Sequence, residues 1–277
     1  MGAGYPSGAV IIPAHNEAAV IDRTLGSLRE VISWGTVDVV VACNGCTDAT
    51  EVIASRWQGV SVLHVAEASK TAALNAGDQC TGLWPRLYLD ADIEVSSKAL
   101  ADVFAALQDG TLLAARPAFS YDTHGASGPV RAYYRARGRI PGNAEGLWGA
   151  GAYALSRSGH SRMGVFPALT GDDYFVDRLF DAQEKAVLPT EPVIVRTPRT
   201  SAALLAVLRR TYRGNAEQDQ VSGGASLLRT VRQLLGSVRG PRTACDAVVY
   251  AVFAVAGRRR PRSRASSPVW DRDESRR

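Results

Sequence analysis

The chain has 277 residues, 46% of them hydrophobic, and carries 32 Lys and Arg against 27 Asp and Glu. That length and apolar content can bury one large core plus an appendage. The four cysteines make no disulfide framework, and the lone Cys43-x-x-Cys46 has no second pair nearby, so loop packing is expected there rather than zinc. The first residues lack a basic region followed by an apolar core, and Pro6 stands where a myristoylation signal needs Ser or Thr. No export signal is expected, and a cytoplasmic location follows.

Val10-Ile11-Ile12-Pro13 predicts a short buried strand, followed by the polar cluster Ala14-His15-Asn16-Glu17. From Ala18 to Ile32 the apolar positions Val20/Ile21, Leu25, Leu28 and Val31/Ile32 keep helical spacing. Val37 to Ala42 predicts a second strand, ending in Cys43-Asn44-Gly45-Cys46-Thr47-Asp48 before a helix over Ala49 to Trp57. Asp48 suits a cap on that helix. Val60 to Val65 and Leu87 to Leu89 predict two further strands. Strands alternating with helices imply an α/β fold whose sheet is mostly parallel and covered on both faces, with ligands at the carboxyl ends of the strands.

The fourth strand stops at Asp90-Ala91-Asp92. Two carboxylates spaced D-x-D at a strand end can offer oxygen ligands to Mg²⁺ or Mn²⁺, ions that prefer carboxylate, water and substrate phosphate. Farther on, Gly171 precedes the adjacent carboxylates Asp172-Asp173 at the start of a predicted helix over Tyr174 to Phe180. Adjacent carboxylates disfavour full ionisation of both, which raises one toward the range a general base uses.

Charge is uneven along the chain. Residues 1–208 hold 17 Lys and Arg against 21 acids, whereas residues 209–264 hold 12 Arg against 3 acids. A basic segment on an acidic region points to a polyanionic partner. Leu227, Leu228, Val231, Leu234, Leu235 and Val238 line one helical face, and Ala244 to Gly257 is apolar except for Asp246 before running into Arg258-Arg259-Arg260. That second stretch is too short to span a bilayer, which takes about 20 residues. An interfacial or re-entrant helix held by arginines on an anionic membrane surface is expected, with a core helix docked on the catalytic domain as the alternative, and no nucleic acid partner. Residues beyond Ser266 are polar and predicted to be disordered.

Five motifs stand in order: Ile11-Ile12-Pro13-Ala14-His15-Asn16-Glu17, Asn44-Gly45-Cys46-Thr47-Asp48, Lys70 with Ala73-Leu74-Asn75-Ala76-Gly77, Asp90-Ala91-Asp92, and Gly171-Asp172-Asp173. Together they resemble the motif series of glycosyltransferase family 2. Over roughly residues 9–180 the resemblance implies a GT-A (Rossmann-like) fold with a mixed, mostly parallel sheet; with the charge and apolar patterning, the expected division is a catalytic domain over residues 1–200, a helical, basic appendage over 201–264 and a tail over 265–277. It also implies a nucleotide-sugar donor, a divalent metal, inversion at the anomeric carbon, and a sugar or lipid-linked acceptor. A peripheral position on the inner face of the membrane is the expected location.

By the same resemblance Asp92 holds the metal, with Asp90 nearer the ribose or a metal-bound water. Pro13, Ala14, Asn16, Glu17, Asn44, Lys70 and Ala91 belong to the donor site. Many members of the family place Asp after the second strand to accept from uracil; Cys43-Asn44 stands there instead, and an amide can still pair with a pyrimidine edge. UDP-sugar is therefore the expected donor. Asp173 resembles the base and Asp172 its neighbour, while Gly149-Ala150-Gly151 resembles the loop that lets an acceptor approach the backbone.

Arg209-Arg210-Thr211-Tyr212-Arg213 lies where processive synthases of the family carry Q-x-x-R-W, and only arginine remains. A non-processive transferase adding one sugar is expected, with Arg210 and Arg213 toward the donor diphosphate or an acceptor phosphate. Residues 118–148, with Tyr133, Tyr134, Arg135, Arg137 and Arg139, look like an acceptor-facing insertion. The alternative is a catalytically silent, membrane-bound relative that partners another transferase. Three carboxylates in one cleft favour the enzyme.

Overall fold

A computed structural model describes residues 4–141, 145–218 and 225–258; the tail over 265–277 lies outside them. The strands are β1 (Gly8–Ala14), β2 (Val37–Asn44), β3 (Val60–Val65), β4 (Arg86–Leu89), β5 (Ala114–Asp122), β6 (Ala152–Leu155) and β7 (Lys185–Arg196). They form one sheet in the order β3-β2-β1-β4-β6-β5-β7. β1 runs parallel to β2 and β4, β2 runs parallel to β3, and β6 runs antiparallel to β4 and β5. All seven residues of β1 are buried, as a central parallel strand with helices on both sides requires.

The helices before the D-x-D are α1 (Ile21–Ser27), α2 (Arg29–Ser33), α3 (Thr50–Ala54) and α4 (Lys70–Cys80). Where the sequence predicts one helix over 18–32, the structure has two, breaking at Leu28 with φ −91° and ψ 1°. The Ser27 hydroxyl donates to the Thr24 carbonyl at 2.8 Å just before the break. Such back-bonding competes with the regular helical ladder. In α4, Gly77 lets the helix lie directly on β1: a Cβ there would stand 2.4 Å from Ile11 Cγ2.

Farther along come α5 (Ser97–Gln108), α6 (Gly128–Gly138), α7 (Arg157–Met163), α8 (Asp172–Arg178), α9 (Ser201–Gln218), α10 (Ala225–Gly236) and α11 (Pro241–Arg258). The chain divides into two compact units. The first takes in residues up to Ser120, Leu147–Ala168 and Asp172–Val195. Its core includes Ile11, Leu74, Tyr88, Tyr153, Phe166, Val176 and Phe180. The second gathers Tyr121–Gly146, Leu169–Gly171 and the described residues from Arg196 onward.

This division does not follow the linear boundary at residue 200, because α6 packs with the C-terminal helices. Val130, Tyr133 and Tyr134 of α6 share a core with Leu204 and Leu208 of α9, Leu234 of α10, and Ala247, Tyr250, Phe253 and Ala254 of α11. Tyr133 and Tyr134 of the expected acceptor-facing insertion lie in this core. Tyr133 is 1% exposed and stacks on Tyr250 at 5.0 Å. Arg135 and Arg139 grip the buried Asp246 carboxylate at 2.6 and 3.1 Å, and Arg137 donates to the Tyr121 hydroxyl at 2.8 Å. Asp246, the one acid in the apolar stretch, is thus a buried anchor, and the guanidinium bonds hold it below the usual carboxylate range.

Candidate active site

Three loops at strand ends and the start of α8 carry the expected residues of the first unit. At the end of β4 the D-x-D turn is held from three sides. The Asp90 N–H donates to the Gly151 carbonyl at 2.8 Å, the Ile93 N–H donates to the Asp90 carbonyl at 3.1 Å, and the buried Thr24 hydroxyl donates to the Ala91 carbonyl at 2.7 Å. Gly151 has φ +65°, and a Cβ there would stand 2.6 Å from Ile93 Cγ1 and 3.0 Å from Asp90 Oδ2. Only glycine fits against that carboxylate without strain.

Lys70, the first residue of α4, reaches the D-x-D directly. Its ammonium lies 2.7 Å from Asp90 Oδ1 and 2.8 Å from Asp172 Oδ1. Burial alone would lower the Lys70 pKa, but the charges of Asp172 and Asp90 override it and raise it. Burial raises Asp90, with Lys70 pulling the other way. One lysine therefore joins the D-x-D to the carboxylate pair of α8. Asp172 is buried, and its second oxygen accepts from the Tyr153 hydroxyl at 2.7 Å.

Asp173 is held differently. Its Oδ2 accepts from the Gly149 N–H and its Oδ1 from the Tyr174 N–H, both at 2.8 Å. Burial and the neighbouring Asp172 charge push Asp173 up to about 6, against the opposing pull of Lys70 and the Gly149 N–H. The pair has split into unlike roles: Asp172 is committed to Lys70 and Tyr153, while Asp173 sits near neutrality. Gly149 has φ +83°, which turns its N–H toward the carboxylate side of the loop. Trp148 meets Tyr174 edge to face at 6.5 Å.

The loops after β1 and β2 lock to each other. Asn16, at φ +55°, accepts on Oδ1 from the Thr47 N–H at 2.7 Å and the Asp48 N–H at 3.2 Å. The Glu17 N–H donates to the Thr50 hydroxyl at 2.7 Å. Asp48 accepts from the Thr50 N–H at 3.0 Å, close to its expected capping role, and also from the Ala18 N–H at 3.2 Å. Cys46 Sγ contacts the Asn16 N–H and the Ala14 carbonyl, both at 3.4 Å. Its hydrogen bond with Cys43 lowers the Cys46 pKa to about 6. Asn44 is fully buried, and its Oδ1 has no hydrogen-bond partner among the described residues.

Pro13 and Ala14 are buried at the end of β1. Ala150 lies between the two positive-φ glycines and is buried. Arg210 and Arg213 belong to the second unit, on α9, with Arg213 exposed. Thr24 and Tyr153 are contributors that sequence reasoning missed, since each lies in an ordinary helix or strand with no motif around it. Asn75 is a third. Its amide donates to the Phe166 carbonyl at 3.0 Å and accepts from the Phe166 N–H at 2.9 Å, pairing α4 with the segment before α8 as a backbone would.

Among the described residues, no group of three or more His, Cys, Asp or Glu is gathered to hold a metal ion. The Asp90–Asp92 pair still suits Mg²⁺ or Mn²⁺, which bind one or two carboxylates and take the remaining ligands from water and substrate phosphate. Removing the cation between the carboxylates tests the network. Lys70→Met should lower stability by about 1–3 kcal/mol, since it strands the buried Asp172 charge. An unchanged urea midpoint would show that the Lys70 pairs contribute nothing net.

The glycosyl transferase family 2 model matches residues 9–157. Among solved structures, the mannosyltransferase PcManGT from Pyrobaculum calidifontis, in complex with GDP-Man and Mn²⁺, superposes with a TM-score of 0.65 at 17% identity, over 91% of this chain and 86% of that one. TarS 1–349 of S. aureus in complex with UDP gives 0.53 at 14% identity, over 89% and 70%. Glucosyl-3-phosphoglycerate synthase from Mycobacterium tuberculosis, in complex with Mn²⁺, UDP and glucosyl-3-phosphoglycerate, gives 0.51 at 20% identity, over 69% and 72%. Comparison with curated protein sequences finds no match. The sheet order and these likenesses show the GT-A fold.

Proposed function

The chain belongs to glycosyl transferase family 2, and from that premise we propose that it moves one sugar, with inversion, from a nucleoside-diphosphate sugar to a hydroxyl of its acceptor. UDP-sugar is the proposed donor, and the acceptor is a lipid-linked sugar or cell-envelope precursor used at the inner face of a membrane. The reading is carried by one observation: Lys70 joins the Asp90–Asp92 turn to the Asp172–Asp173 pair, and within that pair Asp173 is raised to about 6.

Asp173 accepts the acceptor hydroxyl proton as that oxygen bonds to the anomeric carbon and the bond to the diphosphate breaks. The Gly149 and Tyr174 N–H groups keep its carboxylate aimed without ionising it too far. Asp172 is a positioning residue, fixing Lys70 and the start of α8. A divalent metal held by Asp92, with Asp90 beside it, would neutralise charge on the departing diphosphate. Lys70 keeps Asp90 in place and offers the donor a cation at the same end of the sheet.

Asn16, Glu17, Pro13 and Ala14 form the nucleoside side of the pocket. Asn16 acts there by clamping residues 47 and 48, and the buried Asn44 shapes the pocket from beneath. Gly149, Ala150 and Gly151 form the acceptor side. The relatives' complexes with GDP-Man, UDP and Mn²⁺ support a nucleotide-sugar donor and a metal. Purified protein should be assayed with a panel of UDP-, GDP- and dTDP-sugars, reading nucleoside diphosphate release with and without Mn²⁺. No release from any donor, in the presence of a broad acceptor extract, would overturn the proposal.

A further inference from the structure

Helix α11 carries apolar residues on two faces, and among the described residues only one of them is packed into a core. Asp246, Ala247, Tyr250, Phe253, Ala254 and Gly257 are buried against the second unit's core. On the opposite side, the exposed residues between Arg242 and Arg258 are Cys245, Val248, Ala251, Val252 and Val255, with no polar side chain among them. Val248, Val252 and Val255 follow i, i+4, i+7 spacing and stand 63%, 61% and 54% exposed. A core helix in water ordinarily turns charged or polar residues outward.

Arg242 and Arg258 stand exposed at the two ends of this stripe. Of ten exposed large hydrophobic side chains among the described residues, six lie between Val231 and Val255. Residues 220–264 contain nine arginines and a single acid, Asp246, whose charge is already taken by Arg135 and Arg139. No helix among the described residues is long and apolar enough to cross a membrane. We propose that the Cys245–Val255 face of α11 is a docking surface for an anionic phospholipid bilayer, with the valines entering the interface and Arg242 meeting headgroups at one end, while Arg258 lies over the Tyr212 ring at 4.2 Å and donates to the Ala254 carbonyl at 3.1 Å.

Each component is modest alone. Three valines bury little area, and each nearby arginine adds about 1 kcal/mol on an anionic surface. Together they supply the apolar and electrostatic signals that stable peripheral binding takes. A second copy of the chain is a poorer occupant, because pairing this face with itself would set two arginine-rich surfaces against each other. The inference rests on the membrane side of the proposed function and locates it. Transfer of sugar to a soluble acceptor does not depend on it.

The test uses the full chain and vesicles of phosphatidylcholine, with or without phosphatidylglycerol. Sedimentation with the anionic vesicles is expected, with weak binding to the neutral ones and partial release in high salt. Val248→Ser/Val252→Ser/Val255→Ser and the corresponding triple Glu variant should each bind about tenfold less or weaker. Both should retain the wild-type melting curve and nucleoside diphosphate release from donor, which separates failure of docking from failure of the transferase reading. Equal binding by wild type and variants, or no binding to anionic vesicles, would overturn the proposal. So would a wild-type dimer that the substitutions convert to a monomer.

Discussion

Asp173→Asn is expected to lower turnover by about 10²–10⁴ while donor affinity stays nearly unchanged. The amide preserves the shape and can still accept from the Gly149 N–H, which reaches Asp173 Oδ2 at 2.8 Å. It cannot take the acceptor proton. Single-turnover kinetics and donor titration together make the check, and donor binding lost in parallel with rate would place Asp173 in the nucleotide site instead. In the wild type, activity should fall on the acid side through about pH 6, where Asp173 gains its proton.

Stability should move in the opposite sense to activity. The folded pKa of about 6 stands above the usual aspartate value, so the folded chain holds this proton more tightly than the unfolded one. The group's contribution to stability is therefore fully present below about pH 4 and is lost as pH rises through about 6. Asparagine carries no ionisation penalty but turns its NH₂ toward one of the two N–H groups that the carboxylate accepts from, so the variant should lose this pH dependence of the melting temperature. A base held in a site that disfavours its charge lowers stability for the sake of activity.

Asp92→Ala should abolish transfer and remove the metal dependence of nucleotide binding, with the fold intact. Asp92 lies just past β4, in a turn that backbone bonds and the Thr24 hydroxyl hold. Its loss therefore exposes no core. Calorimetric titration of UDP with and without Mn²⁺ separates the possibilities: binding that strengthens with Mn²⁺ in wild type and ignores it in the variant supports the assignment. Full activity in EDTA, or in the variant, would sink it.

How far the sequence could be read followed the length and patterning of each element. β1 to β4 showed as apolar runs, three of them ending in polar clusters, and the structure places them within one or two residues of where patterning puts them. β5, β6 and β7 gave no comparable signal. β6 is four residues with two alanines, and much of β7 is exposed, so neither reads as a buried strand. The helix over Ala244 to Gly257 was visible, but an apolar run has no marker for what covers it. Patterning suggested the membrane interface, while the structure turns one face into core.

The sequence by itself determined the family, the order of strands and helices through β4, and the polar clusters at the strand ends. These are local properties: periodicity, turn residues and motif spacing are written over a few consecutive positions. Only the tertiary structure decided which carboxylates meet and what each becomes. Lys70 lies 20 positions before Asp90 and 102 before Asp172, yet its ammonium touches both. Tyr153 and Gly149 then divide the Asp172–Asp173 pair by bonding one partner each. A pKa depends on burial and on charges within a few ångströms. Those distances are set by the packing of α4 and α8 on the sheet, which no stretch of sequence contains.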